Sequence, residues 1–200
     1  MIEIFILRPF KKIPVAGWSF LIVLVVITFI YNYKVFLNRK KEIEKYTLLQ
    51  YIKLENGYIF GSLAMWYVGI VFTMTILTRS YNMFLYKRFI PLWSWYASVK
   101  EIVTGDELIV TEQILANIAM MMPLGFLLYF ANNTNVKEGL FYGFLFSVYM
   151  ELLQLMFQLG VFEWDDMVHN ALGCALGVCA AKLLMEGIVR IKKRAVRREK

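Results

Sequence analysis

The chain has 200 residues and a net charge of +7, with 60% hydrophobic and 18% charged side chains, and its mean hydropathy is +0.56. Soluble domains carry about 25% charged residues, so this composition excludes a disordered chain, a collagen-like chain and a disulfide scaffold, and disfavours a soluble globule. Cys174 and Cys179 are the only cysteines; on a helix they lie about 140° apart, too far round to form a mutual disulfide.

A hydrocarbon core about 30 Å thick needs roughly 20 apolar residues per helix. Five stretches reach that length and predict an all-α polytopic membrane protein, a bundle of about five transmembrane helices. The first is Ile13 to Tyr33, flanked by Lys11, Lys12 and Lys34. Its end, Tyr31-Asn32-Tyr33-Lys34, has no small-residue cleavage site, so it reads as a retained anchor. Residues 35–57 are charged, with Leu48, Leu49, Ile52 and Leu54 as the apolar members of an amphipathic helix. The second stretch is Tyr58 to Thr78, stopped by Arg79. The long connection 79–111 begins with the basic and then aromatic run Arg88 to Tyr96, expected at the membrane surface or dipping into it. The third stretch is Glu112 to Ala131, with Pro123 inside; the fourth is Gly139 to Gly160; the fifth is Met167 to Met185. Seven basic residues follow Gly187. Directly after a span, such a tail suits anionic lipid rather than nucleic acid. The organisation read from this is 1–57 as an N-terminal helix with a charged connection, 58–187 as a four-helix membrane domain, and 188–200 as a basic tail.

Five spans put the termini on opposite sides. The side of the N-terminus holds 7 basic residues and the side of the C-terminus 14. The positive-inside rule then predicts a cytoplasmic C-terminus and an external N-terminus.

Charged and amide side chains inside spans are costly and mark candidate sites. Those singled out here are Asn117, Glu151, Gln154, Gln158 and Asn170, with Asp165 and Asp166 at a helix mouth. Glu151, Gln154 and Gln158 share one face of the fourth helix, and Asp166, Asn170, Gly173 and Gly177 form one stripe on the fifth. The glycines invite close backbone approach. With alternating helix directions, all of these residues and Arg79 fall in one half of the membrane, on the side predicted to be external. Each taken singly also has a plain structural role, the amides as interhelical bonds and the Asp pair as a helix cap. The lone histidine, His169, is placed on another face. No phosphate loop, nucleophile elbow, CxxC pair or HExxH occurs.

The order of these pieces resembles the VanZ-like family of bacterial membrane proteins. The resemblance runs from Arg79 to about Leu184: Arg79, Phe89-Ile90-Pro91-Leu92, Asn117, Met122-Pro123-Leu124-Gly125, Glu151-Leu-Leu-Gln154, and Asp165-Asp166 followed by Asn170, Gly173 and Gly177. The chain departs from the family pattern at Arg88 and Leu92, where the family commonly has Asn and Phe, and at Gly160 and Glu163, where it commonly has Arg and Asp. The resemblance implies a cell-envelope protein linked to low-level resistance to teicoplanin and related lipoglycopeptides.

Two readings of the polar cluster stand side by side. In the first it binds or shields an envelope amphiphile, a membrane lipid or cell-wall lipid precursor, or the glycopeptide itself; Arg79, Asn117, Gln154 and Asn170 make the contacts. In the second the chain is an intramembrane enzyme acting on a lipid or polyprenyl head group. Glu151 and Asp166 are then the catalytic residues, with Glu151 as acid or base, and Asp165 and Asp166 hold a divalent cation, Mg²⁺ being the ion that suits oxygen ligands.

Overall fold

The computed structural model describes residues 15–40, 48–79, 87–88, 90–159 and 162–198. Six α-helices follow in order: α1 (Val15–Lys40), α2 (Leu48–Phe72), α3 (Trp93–Thr104), α4 (Ile109–Asn132), α5 (Val136–Phe157) and α6 (Trp164–Arg198). A π-helical turn, Thr73–Leu77, extends α2. Two short strands, β1 (Lys87–Arg88) and β2 (Phe162–Glu163), pair in parallel.

Four segments are long and apolar enough to cross a membrane: Gly57–Leu77, Ile109–Asn132, Val136–Phe157 and Trp164–Ile188. These are the second to fifth expected spans. The first expected span is helical as well, and its described apolar part is Gly17–Thr28. The chain is thus an all-α polytopic membrane protein. The apolar residues from Leu48 onward belong to the same helix as the second span instead of forming a separate amphipathic segment. The fourth span ends at Phe157, because Gln158 turns left-handed at φ 55°. That removes Gln158 from the helical face shared by Glu151 and Gln154. Helix α6 continues without a break through the basic tail to Arg198. Pro123 does not interrupt α4; helix breakers are tolerated in spans where neighbouring helices support the backbone.

Helix α6 is the centre of the bundle and packs along both α4 and α5. The contacts are close because glycines face backbone. A Cβ at Gly173 would overlap the Ile118 carbonyl, one at Gly177 the Met122 carbonyl, and one at Gly125 the Cys174 carbonyl. On α5, a Cβ at Gly143 would come 3.0 Å from Asn170 O. This is small-residue packing, in which van der Waals contact replaces a hydrophobic driving force absent in lipid. Met121, Leu124 and Cys174 form a buried core with Ala64 of α2.

Helix ends are tied by side chains. Asn135 and Glu138 form a capping box on α5, with bonds of 3.0 and 2.8 Å. Glu101, at the end of α3, accepts from the amides of Val110 (2.8 Å) and Thr111 (3.0 Å) and from the Thr111 hydroxyl (2.9 Å). Partial desolvation raises the Glu101 pKa, but these three donors outweigh it and hold the carboxyl below its ordinary value.

Helix α3 is amphipathic in the reverse sense of a soluble surface helix. Its buried residues are Ser94 and Ser98, while Trp95, Tyr96, Val99, Ile102 and Val103 face outward, Tyr96 at 73% and Val103 at 78% exposure. Such a face suits lipid, not water.

Candidate functional site

Helices α2, α4, α5 and α6 alternate in direction, so the end of α2, the start of α4, the end of α5 and the start of α6 meet at one end of the bundle. Glu151 lies about 9 Å from the end of α5 and Asn170 about 9 Å from the start of α6, at 1.5 Å per residue. The polar residues singled out in the sequence converge there.

The bonds among them are specific. Asn117 of α4 donates to Asp166 Oδ1 of α6 at 2.7 Å. Asn170 donates to Ser147 of α5 at 2.8 Å. Arg79 donates to Gln154 of α5 at 3.1 Å, presented at the exit of the π turn, where the Thr78 N–H reaches back five residues to Thr73 O at 3.1 Å. Glu151 is 4% exposed and accepts from the Glu163 amide at 3.3 Å. It lies within electrostatic reach of Asp166, Arg79 and Glu163. Gln113, one turn before Asn117, reaches the Glu163 carboxylate at 3.4 Å.

Asp165 has a different set of partners from Asp166. Its Oδ1 accepts from Leu92 N at 2.7 Å, and its Oδ2 from Ser94 N at 2.8 Å and the Ser94 hydroxyl at 2.6 Å. Asp165 therefore holds the N-terminus of α3, where Leu92 is left-handed at φ 62°. That conformation is strained for a branched side chain. The adjacent carboxylates do not present a shared open face for a cation. Among the described residues, no group of three or more His, Cys, Asp or Glu side chains has metal-holding geometry.

His169 belongs to the site, although the sequence places it on another face. It is 1% exposed. Its Nδ1 lies 3.7 Å from Asp166 Oδ1, and Trp95 of α3 covers it with a ring separation of 5.5 Å. Both ring nitrogens of His169 and the Asn170 Oδ1 are buried with no hydrogen-bond partner among the described residues.

Sequence reasoning also missed Ser147, Gln113 and Glu163. The first two were within reach: Ser147 extends the Glu151–Gln154 face by one turn, and Gln113 extends the face of Asn117 likewise. Glu163 enters through β2, a strand of two residues and too short to carry a periodic signal. Its position supplies a carboxylate where the family commonly has aspartate, and its register partner is Arg88, another departure from the pattern. Two departures thus stand opposite one another in space. The Arg88 side chain, the Phe89 position and Gly160 lie outside the described residues.

No curated protein and no solved structure matches the chain. Residues 18–185, which include every element that builds the polar end of the bundle, match the VanZ/LLP1 family, and the chain belongs to that family.

Proposed function

We propose that this VanZ/LLP1 membrane protein binds the polar head of an envelope amphiphile at the polar end of its bundle, and that it thereby lowers susceptibility to teicoplanin and related lipoglycopeptides. The amphiphile is a membrane lipid, a cell-wall lipid precursor or the glycopeptide itself. One observation carries the reading. Among the described residues, Asn170 Oδ1 and both nitrogens of His169 are buried without a hydrogen-bond partner, while the groups around them are bonded. An unsatisfied buried polar atom costs about 1–3 kcal/mol, and hydroxyl or amine groups of a bound head would remove that cost. Arg79, exposed beside Gln154, adds a cation for an anionic group. Asn117 acts by orienting Asp166.

The test is teicoplanin binding to the full chain in lipid nanodiscs, read by tryptophan emission, together with susceptibility of cells expressing the same variants. Binding is expected to change the emission of Trp95, which lies against His169, so the response should vanish in Trp95→Phe. Asn170→Ala and His169→Phe should weaken both binding and protection at unchanged protein level. Protection equal to wild type in both Asn170→Ala and His169→Phe would refute the reading.

The His169–Asp166 geometry favours a second reading, an intramembrane enzyme. Asn117 fixes Asp166, and Asp166 stands beside Nδ1, which is how a base is oriented in many active sites. Glu151 remains the candidate acid or base. Mg²⁺, if bound, would draw on Asp166, since both oxygens of Asp165 are taken. Glu151→Gln separates the readings: loss of function with head-group binding retained indicates chemistry, and full function indicates binding alone.

A further inference from the structure

At the opposite end of the bundle, the α4–α5 turn and α6 enclose a cleft of about 570 Å³. Two lysines line it, Lys137 on the first turn of α5 and Lys182 on α6, with Tyr129, Val136 and Val178 as an apolar wall and Asn133 at the turn. We propose that this cleft is a binding site for the phosphate of an anionic glycerophospholipid, independent of the polar end and of what binds there.

The charge inventory supports the assignment. Lys182 is the only lysine or arginine within Trp164–Ile188, and a cation inside a span requires an anion or an aqueous outlet. The carboxylates nearest in sequence are engaged elsewhere. Glu138 bonds the Asn135 amide at 2.8 Å, and Glu186 faces Arg190 at 3.6 Å. Among the described residues, neither lysine has a carboxylate partner. Two polar groups of the turn are also occupied: the Thr134 hydroxyl donates to Leu128 O at 3.0 Å, and Asn135 Oδ1 accepts from Glu138 N at 3.0 Å. The cleft therefore offers two cations without an acid.

Position selects lipid as the source of the phosphate. Lys182 lies 18 residues after Trp164, about 27 Å along α6, close to the thickness of the hydrocarbon core. The two lysines thus stand at the level of a phosphate layer. Val178, one turn deeper, continues the wall toward the hydrocarbon, where acyl chains would leave the cleft.

The test is native mass spectrometry of the full chain, released from micelles doped with equal amounts of phosphatidylglycerol and phosphatidylcholine. The wild type should retain phosphatidylglycerol preferentially. Lys137→Gln and Lys182→Gln should each reduce that preference about fivefold, the size of one lysine's attraction to an anionic lipid, and the double variant should abolish it. Lys137→Arg with Lys182→Arg should keep it, so the assay remains decisive if the glutamine pair fails to fold. Preference that survives in the double glutamine variant overturns the proposal. So does preference lost only when Arg190 and Arg194 of the tail are changed to Gln. A large excess of inorganic phosphate that binds the lipid-free chain and displaces phosphatidylglycerol would show a free-phosphate site and overturn the lipid assignment.

Discussion

Asp165→Asn is expected to destabilise the chain by detaching α3 from α6. The carboxylate accepts three bonds, from Leu92 N, Ser94 N and the Ser94 hydroxyl. Bonds to a charged group contribute about 1.5–3 kcal/mol each when removed singly, but three on one carboxylate do not add. A single helix N-cap is worth up to about 2 kcal/mol. Left-handed Leu92, strained on its own account, depends on the same carboxylate. A loss of about 2–4 kcal/mol follows. Asparagine is not a mild change here, because its amide presents a donor where the structure supplies only donors. Unfolding in mixed micelles should show a lowered midpoint, and amide exchange should accelerate first over Leu92 to Ser98. Leu92→Gly in the Asp165→Asn background should recover part of the loss by relieving the left-handed strain. An unchanged midpoint with unchanged exchange at Leu92 and Ser94 would refute the assignment of Asp165 as the anchor of α3.

Gly173→Leu should reduce folded yield sharply, since even one Cβ there meets the Ile118 backbone and overpacking of this kind costs about 1–3 kcal/mol or more; normal yield would place that face toward lipid. The Glu101 cap should be pH-dependent. Its folded pKa lies below the unfolded value, so its contribution is complete above the unfolded pKa and is lost as pH falls through the folded one. Acidification should therefore speed amide exchange at Val110 and Thr111, and Glu101→Gln should abolish that dependence. Finally, an impermeant thiol reagent should label a cysteine placed at Val161 in intact cells and miss one at Ala195; the opposite pattern would put the polar end on the cytoplasmic side.

The spans were legible because lipid demands long apolar runs, and because the small-residue stripe of α6 has a period of its own. The membership of the polar end was legible where a polar residue interrupted such a run, as at Asn117, Glu151 and Asn170. What the sequence did not reveal were the ties between segments remote in the chain. Asp165 and Asp166 are neighbours of one type, yet one holds the N-terminus of α3 and the other faces Asn117. Only the placement of α3, fixed by contacts more than 70 positions apart, separates them. His169 was missed for a related reason. Its neighbours on α6 do not explain it; Trp95 from α3 completes its surroundings. Gln158 was overcounted because a periodic reading does not register that a helix has ended.

The reversed amphipathicity of α3 has a kinetic meaning. The helix covers His169 with Trp95 and turns Tyr96, Val99, Ile102 and Val103 outward, so this flank of the polar end presents an apolar face that suits acyl chains. A ligand arriving past that flank would diffuse within the leaflet. Its rate of arrival would then follow its mole fraction in the bilayer, not its concentration in the medium. Diluting the membrane with inert lipid should therefore slow binding as effectively as lowering the total amount of ligand.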